Sequence, residues 1–131
     1  MIGDSLTSAI LHRALDGTWQ RQRAIANNIA NHETPGYKAM KVNFEDSLNN
    51  EIQKLNNRTI GSHSNNLETI RNSDINVFID RFTSERADGN NVNLDLENIE
   101  MAKVQIQYQY LTRSMTDMYS RLRYAISEGR K

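Results

Sequence analysis

The sequence predicts a mainly α-helical protein whose long N- and C-terminal helices pair as a coiled coil around a partly irregular middle segment. Three observations support this fold class. Apolar residues recur at alternating spacings of three and four near both ends of the 131-residue chain, and the stretch between the ends is polar, with few apolar residues. The length suffices for one ordinary domain, so both ends are expected to belong to a single assembly domain.

The first predicted element is a coiled-coil helix over residues 1–33. Residues 4–32 contain no proline and a single glycine, Gly17. A glycine inside a helix costs about 1 kcal/mol relative to alanine, so a break or tight packing is expected there. The stripe that would face a partner helix consists of Leu11, Leu15, Thr18, Gln22, Ile25 and Ile29.

The last predicted element is a coiled-coil helix within residues 92–131, running from Leu94 to Glu128. Asn93 is placed to cap its first turn, and acidic residues near its start with arginines near its end match the helix dipole. The apolar stripe of this helix comprises Met101, Val104, Tyr108, Leu111, Met115, Met118, Leu122 and Ala125.

The middle segment, residues 34–91, is rich in Asn, Ser, Asp and Arg. The spacing of Phe44, Leu48, Ile52 and Leu55 predicts one short amphipathic helix, and the alternation around Val77 predicts one short strand. Little else in this segment is expected to be buried. We therefore interpret it as a variable, partly disordered arm.

Two helices with one apolar stripe each bury too little surface to form a layered core. The isolated chain is therefore expected to be marginally stable, and copies packed side by side would supply the missing neighbours. This argument favours a subunit of an assembly.

Composition and motifs give no support to catalysis. The chain has no cysteine, and none of the pairs among His12, His32 and His63 has the spacing of a zinc-binding helix. The calcium-loop-like stretch from Asp88 lacks the required glycine and terminal glutamate. Neither a GxSxG nor a phosphate-binding GxxxxGK[ST] motif occurs. We predict no enzyme activity, no metal and no cofactor.

Charge and hydropathy argue against nucleic-acid and membrane partners. The formal net charge is zero, and the tyrosines of the last third lack the basic groove that accompanies base stacking. No continuous apolar stretch is long enough to span a bilayer, and the N-terminal residues do not resemble a cleaved signal peptide. We expect no nucleic acid and no direct membrane insertion.

One stretch of the sequence points to a protein family more specifically than the rest does. The run "NNIANHETPGYK" resembles the N-terminal signature of bacterial flagellar axial proteins, the family of rod, hook and hook-associated proteins. The matching residues are Asn27, Asn28, Ile29, Ala30, Asn31, Thr34, Pro35, Gly36, Tyr37 and Lys38. The resemblance implies terminal helices that pack with neighbours into a tube, and a middle segment that varies between members.

The C-terminal third indicates which members of this family the chain resembles most. "ERADGNNVNLDLENIEMAK", with "QYQ" and "LRYAI" further on, is similar to the short subunits of the proximal rod, and the middle segment is too short for the hook or the distal rod. A second short rod protein of the family is the nearest alternative.

The resemblance implies a structural protein of the flagellar basal body that transmits torque. Implied partners are copies of itself, other rod proteins, membrane-ring and adaptor proteins at the rod base, and the flagellar type III export apparatus. The implied location is the cell envelope or periplasm, reached without signal-peptide cleavage. A soluble helical adaptor or export chaperone is the alternative function.

Asn28 lies beside Ile25 on the N-terminal stripe, where a buried amide can fix register and partner choice. The simpler interpretation of the motif is a helix end that frays into a loop. We predict that the stripes form the interface between subunits, through Leu11, Leu15, Gln22, Ile25, Asn28, Ile29, Met101, Val104, Tyr108, Leu111, Met115, Met118, Leu122 and Ala125.

Overall fold

The structure, a computed structural model, describes residues 2–56, 63–81 and 86–128. It is mainly α-helical, which confirms the predicted fold class. In chain order the elements are α1 (Ile2–Ala30), β1 (Met40–Asn43), α2 (Glu45–Asn56), α3 (His63–Arg71), β2 (Asn76–Ile79) and α4 (Leu94–Glu128).

The long helices α1 and α4 pack against each other in antiparallel orientation. Leu11 near the start of α1 shares a groove with Leu122 near the end of α4, whereas Ile25 shares another with Leu96 at the start of α4. The predicted pairing of the terminal helices is therefore present within one chain.

Helix α4 has the predicted bounds, Leu94 to Glu128. The Asn93 side chain caps its first turn, because Oδ1 accepts hydrogen bonds from the backbone N–H groups of Asp95 at 3.1 Å and Leu96 at 3.2 Å. This cap fixes where the helix starts.

A first core lies between α1, α2 and α3. Ala9 of α1, Leu48 of α2 and Ile70 of α3 are buried together, and Ile70 is fully inaccessible to solvent. The predicted helix over residues 44–55 is present as α2. The expectation that little else in the middle segment would be buried is wrong, because α3 adds a second amphipathic helix to this core.

A second core joins α1 to the β-hairpin. The strands pair antiparallel, with Met40 opposite Ile79 and Asn43 opposite Asn76. The predicted strand is β2, and its partner β1 was not predicted. Val42 of β1 and Phe44 just after it pack against Ala24 of α1, so the hairpin lies against the C-terminal half of α1.

Gly17 is the contact point of this second core, because a Cβ atom at that position would overlap the ring of Phe44. We expect Gly17→Ala to lower the free energy of unfolding by about 1–3 kcal/mol, the usual cost of overpacking, despite the better helix propensity of alanine. Thermal unfolding followed by circular dichroism measures the loss. Asp16→Ala, on the exposed neighbour, is the matched control. Equal or higher stability of Gly17→Ala would contradict the tight packing.

Candidate functional site

The asparagine motif at the end of α1 forms a hydrogen-bonded cluster with β1. The Asn28 side chain is 1% exposed. Its Nδ2 donates to the carbonyl oxygen of Met40, and its Oδ1 accepts from the N–H of the same residue, both at 2.8 Å. The Tyr37 hydroxyl also donates to Oδ1, at 3.3 Å. The amide of Asn28 thus pairs with Met40 as a neighbouring strand would, and ties α1 to the hairpin.

A second asparagine, Asn90, binds three carbonyl groups of the turn that follows α1. Its Nδ2 lies 3.0 Å from the carbonyl oxygen of Asn31, 3.1 Å from that of His32 and 2.9 Å from that of Thr34. Asn90, fully buried, therefore fixes the conformation of this turn from a distant part of the chain.

The segment before α4 holds the motif in place at two further points. Gly36 (φ 72°) donates its N–H to the carbonyl oxygen of Asp88 at 2.9 Å, and Gly89 (φ 81°) lies against it. The Asn91 side chain accepts from the N–H of Ala39 and donates to the carbonyl oxygen of Asp80, which joins the ends of both strands. Both glycines have the left-handed conformation that other residues adopt at a cost.

Glu97 of α4 completes the cluster from the other helix. Burial raises the pKa of its carboxyl group above the ordinary value, and the negative charge of Glu100 adds to this rise. A hydrogen bond with Asn28 and the positive charge of Lys41 oppose the rise. Burial, together with the charge of Glu97, also raises the pKa of the Tyr37 phenol. The Tyr37 hydroxyl therefore stays protonated at neutral pH and can donate to Asn28.

The raised pKa of Glu97 predicts a pH-dependent loss of stability. Unfolded glutamate titrates near pH 4.3, about its unperturbed value. Between that pH and the raised pKa the folded chain binds more protons than the unfolded chain, so stability falls as the pH rises through this window. We expect Glu97→Gln to lack this loss. The unfolding free energy of the variant minus that of the parent chain should therefore increase as the pH rises through the window and stay constant above it.

Urea unfolding from pH 3.5 to 7.5 checks this prediction. Glu68→Gln, at an exposed position of α3, is the control and should run parallel to the parent chain. A Glu97→Gln profile that also runs parallel would contradict the assignment.

Helix α4 carries a second apolar stripe, distinct from the predicted one. Ile106 follows Val104 by two residues, about 200° around the helix, and so points away from α1. Val104 is 2% exposed and Ile106 is 55% exposed. We call this stripe the outer face of α4; it consists of Leu96, Ile99, Ile106, Tyr110 and Tyr124, all large side chains that are about half exposed or more.

The structure divides the predicted interface residues into three groups. Ile25, Asn28, Val104 and Met115 are buried within the chain; Tyr108 and Ala125 are exposed; the half-buried group is Leu11, Leu15, Gln22, Ile29, Met101, Leu111, Met118 and Leu122.

The four buried residues are covered within the chain, and Asn28 bonds to Met40 of the same chain. The interface role of all the predicted residues, and the role of Asn28 in the choice of partner, stay predictions.

The other motif residues are spread over the helix end and the turn. Asn31 donates from Nδ2 to the carbonyl oxygen of Asn27 at 2.9 Å, and the Thr34 hydroxyl donates to Asn31 Oδ1 at 3.2 Å. Ala30, Pro35 and Gly36 are exposed, and Tyr37 and Lys38 are half-buried. Asn90 and Asn91 were not predicted, because nothing in their local sequence signals partners as far away as Asn31 and Ala39.

Within residues 2–56, 63–81 and 86–128, no group of three or more His, Cys, Asp or Glu side chains is placed to hold a metal ion. In the same ranges no helix is both long and apolar enough to cross a bilayer.

A paired-helix fold whose longest helix leaves an apolar stripe uncovered is typical of proteins that bind a partner over that stripe. A profile described as "Flagella basal body rod protein" matches residues 11–38. The flagellar basal body rod protein FlgB of Bacillus subtilis (strain 168) is 36% identical over 121 residues, which cover 92% of each chain.

Two further relatives extend the comparison. FlgB of Borreliella burgdorferi is 32% identical over 109 residues, or 77% of this chain and 81% of the relative. FlgB of Escherichia coli (strain K12) is 26% identical over 140 residues, which cover 96% of this chain and 98% of the relative. The chain belongs to the FlgB family and is a structural subunit of the flagellar basal-body rod. It therefore associates with other rod proteins.

Proposed function

We propose that the chain assembles into the proximal rod by burying the outer face of α4 against neighbouring subunits, and that it transmits torque without any catalytic activity. The single observation that carries this proposal is the exposed apolar stripe, on which Ile106 is 55% and Tyr110 is 69% exposed. Burying apolar surface contributes about 25 cal/mol per Å², so covering such side chains favours assembly.

The internal hydrogen bonds suit this role. Asn28, Asn90 and Asn91 fasten the hairpin and the start of α4 to the end of α1. A subunit that passes mechanical load needs its two long helices held at a fixed relative position, and bonds made to backbone groups resist sliding between elements.

The further partners follow from membership of the rod. We propose that copies of this chain contact one another and other rod proteins, that the base of the rod contacts membrane-ring and adaptor proteins, and that the chain leaves the cytoplasm through the flagellar type III apparatus for the periplasm. The export route uses an uncleaved N-terminus. Because the relatives are rod proteins, we favour this function over that of a soluble adaptor or export chaperone.

Complementation of a rod-deficient strain tests the function. In a flagellated bacterium lacking its own copy of this gene, the tagged chain should restore swimming and co-purify with detergent-extracted basal bodies at full length. Absence from basal bodies, together with recovery as a stable soluble dimer, would contradict the proposal and favour the adaptor.

A further inference from the structure

A groove of about 490 Å³ opens between the hairpin and the first turns of α4. Its apolar walls come from Ile25 of α1, Met40 of β1, Phe78 of β2 and Leu96 of α4. Phe78 and Leu96 are 48% and 56% exposed. The groove therefore presents two large apolar side chains to solvent.

The rim of the groove carries two basic and two acidic side chains, and both basic ones are paired with carboxylates outside the groove. Of the basic residues in it, Arg21 is paired with Glu45 at 2.5 Å and Lys41 with Asp80 at 2.7 Å. Glu97 lines the groove and forms no ion pair within the described part of the chain. A cation next to an apolar side chain is thus the chemistry that this groove fits.

Glu45 shows that the Arg21 charge is already compensated. Burial raises the pKa of the Glu45 carboxyl group, but hydrogen bonding and the charge of Arg21 outweigh burial, so that its pKa is lowered overall. Glu100, also on the rim, contacts Lys103 at an exposed position, where such a pair is weak and exchangeable.

The opposite end of α4 has the complementary chemistry. Arg121 and Tyr124, three residues apart, lie on one side of the helix, and both are exposed. Arg121 forms no ion pair among the residues that the structure describes. Tyr and Arg are, with Trp, the residue types enriched among the residues that dominate binding energy at protein interfaces.

We propose that this groove receives the C-terminal end of α4 from a second copy of the chain, with Tyr124 between Phe78 and Leu96 and Arg121 beside Glu97 and Glu100. The two surfaces differ, so the contact is heterologous and leaves one groove and one helix end free for further copies. This inference rests on the proposed assembly function and names one contact within it.

Disulfide capture tests the contact, and the chain is suited to it because it contains no cysteine. We expect a chain carrying both Leu96→Cys and Tyr124→Cys to give a ladder of covalent multimers under mild oxidation at high concentration. An equimolar mixture of the two single variants should give covalent dimers only. Dimers of either single variant alone, or a monomeric double variant, would overturn the proposal.

A charge exchange provides the second test, read as the captured fraction in the same assay. Arg121→Glu and Glu100→Arg should each lower that fraction severalfold, and the two changes together should restore it. Arg113→Glu, at an exposed position of the same helix, is the matched control and should have no effect. Failure of the combined exchange to restore capture would refute the contact.

The two proposals fail in different ways. If charge at Ile106 stops basal-body assembly while the charge exchange changes nothing, the groove contact is wrong and the assembly function stands. If capture occurs as expected but the chain is absent from basal bodies, the rod function is wrong.

Discussion

Replacing Asn28 by alanine is expected to lower the free energy of unfolding by roughly 2–4 kcal/mol, because it removes a buried amide and leaves the part-buried N–H and carbonyl group of Met40 without its hydrogen bonds. For a chain of this size the melting temperature should fall on the order of 10 °C. Tyr37 loses its acceptor in the same variant.

Asn27→Ala is the matched control, since Asn27 is the adjacent motif residue with the same side chain but is exposed. Its unfolding free energy should change by less than about 0.5 kcal/mol. Amide exchange gives a local readout: the Met40 N–H should exchange faster in Asn28→Ala than in Asn27→Ala. Equal stability of the two variants would show that the hydrogen bonds of Asn28 do not hold the hairpin to α1.

Charge on the outer face of α4 is expected to abolish swimming without unfolding the subunit. Ile106→Glu adds a carboxylate at a position that is solvated in the monomer, so its unfolding free energy should stay within about 0.5 kcal/mol of the parent. In an assembly the same carboxylate would have to be buried without a partner, at a cost of several kcal/mol. Incorporation into basal bodies should therefore fall more than tenfold.

Gln105→Glu is the matched control, because it adds the same charge one residue away in place of an exposed polar side chain. Cells that carry this variant should swim normally. The sequence alone favours Met115 and Leu122 for this experiment. The structure makes Met115 unsuitable, because a charge there would be buried against α1 and would destabilise the monomer itself. Normal incorporation of Ile106→Glu would remove the outer face from the interface.

Much of the fold could be predicted from local patterns. The start of α4 followed from its Asn93 cap and the acidic residues of its first turn, and α2 from its periodicity. Helix α3 was missed because its polar composition hides the few apolar residues, such as Ile70, that its core contact uses. β1 was missed because a four-residue strand on a two-stranded sheet has little periodicity to detect.

Which apolar stripe faces another subunit could not be predicted, for a different reason. Periodicity identifies an apolar stripe, but it does not tell whether the surface that covers the stripe belongs to another copy or to the same chain. For Val104 and Met115 the covering surface is α1 of the same chain. The outer face follows the same spacing, from Leu96 through Ile99 to Ile106 and Tyr110, and so was readable as a second stripe. The bonds of Asn28 and Asn90 depend on tertiary proximity, which local spacing does not encode.

The most direct test of the central claim, that neighbouring subunits cover the outer face of α4, is the reactivity of a cysteine placed there. Ile106→Cys should react readily with a maleimide in the purified monomer and become protected in isolated basal bodies. Val104→Cys, on the side facing α1, should be protected in both states. Equal labelling of Ile106→Cys in monomers and in basal bodies would contradict the account.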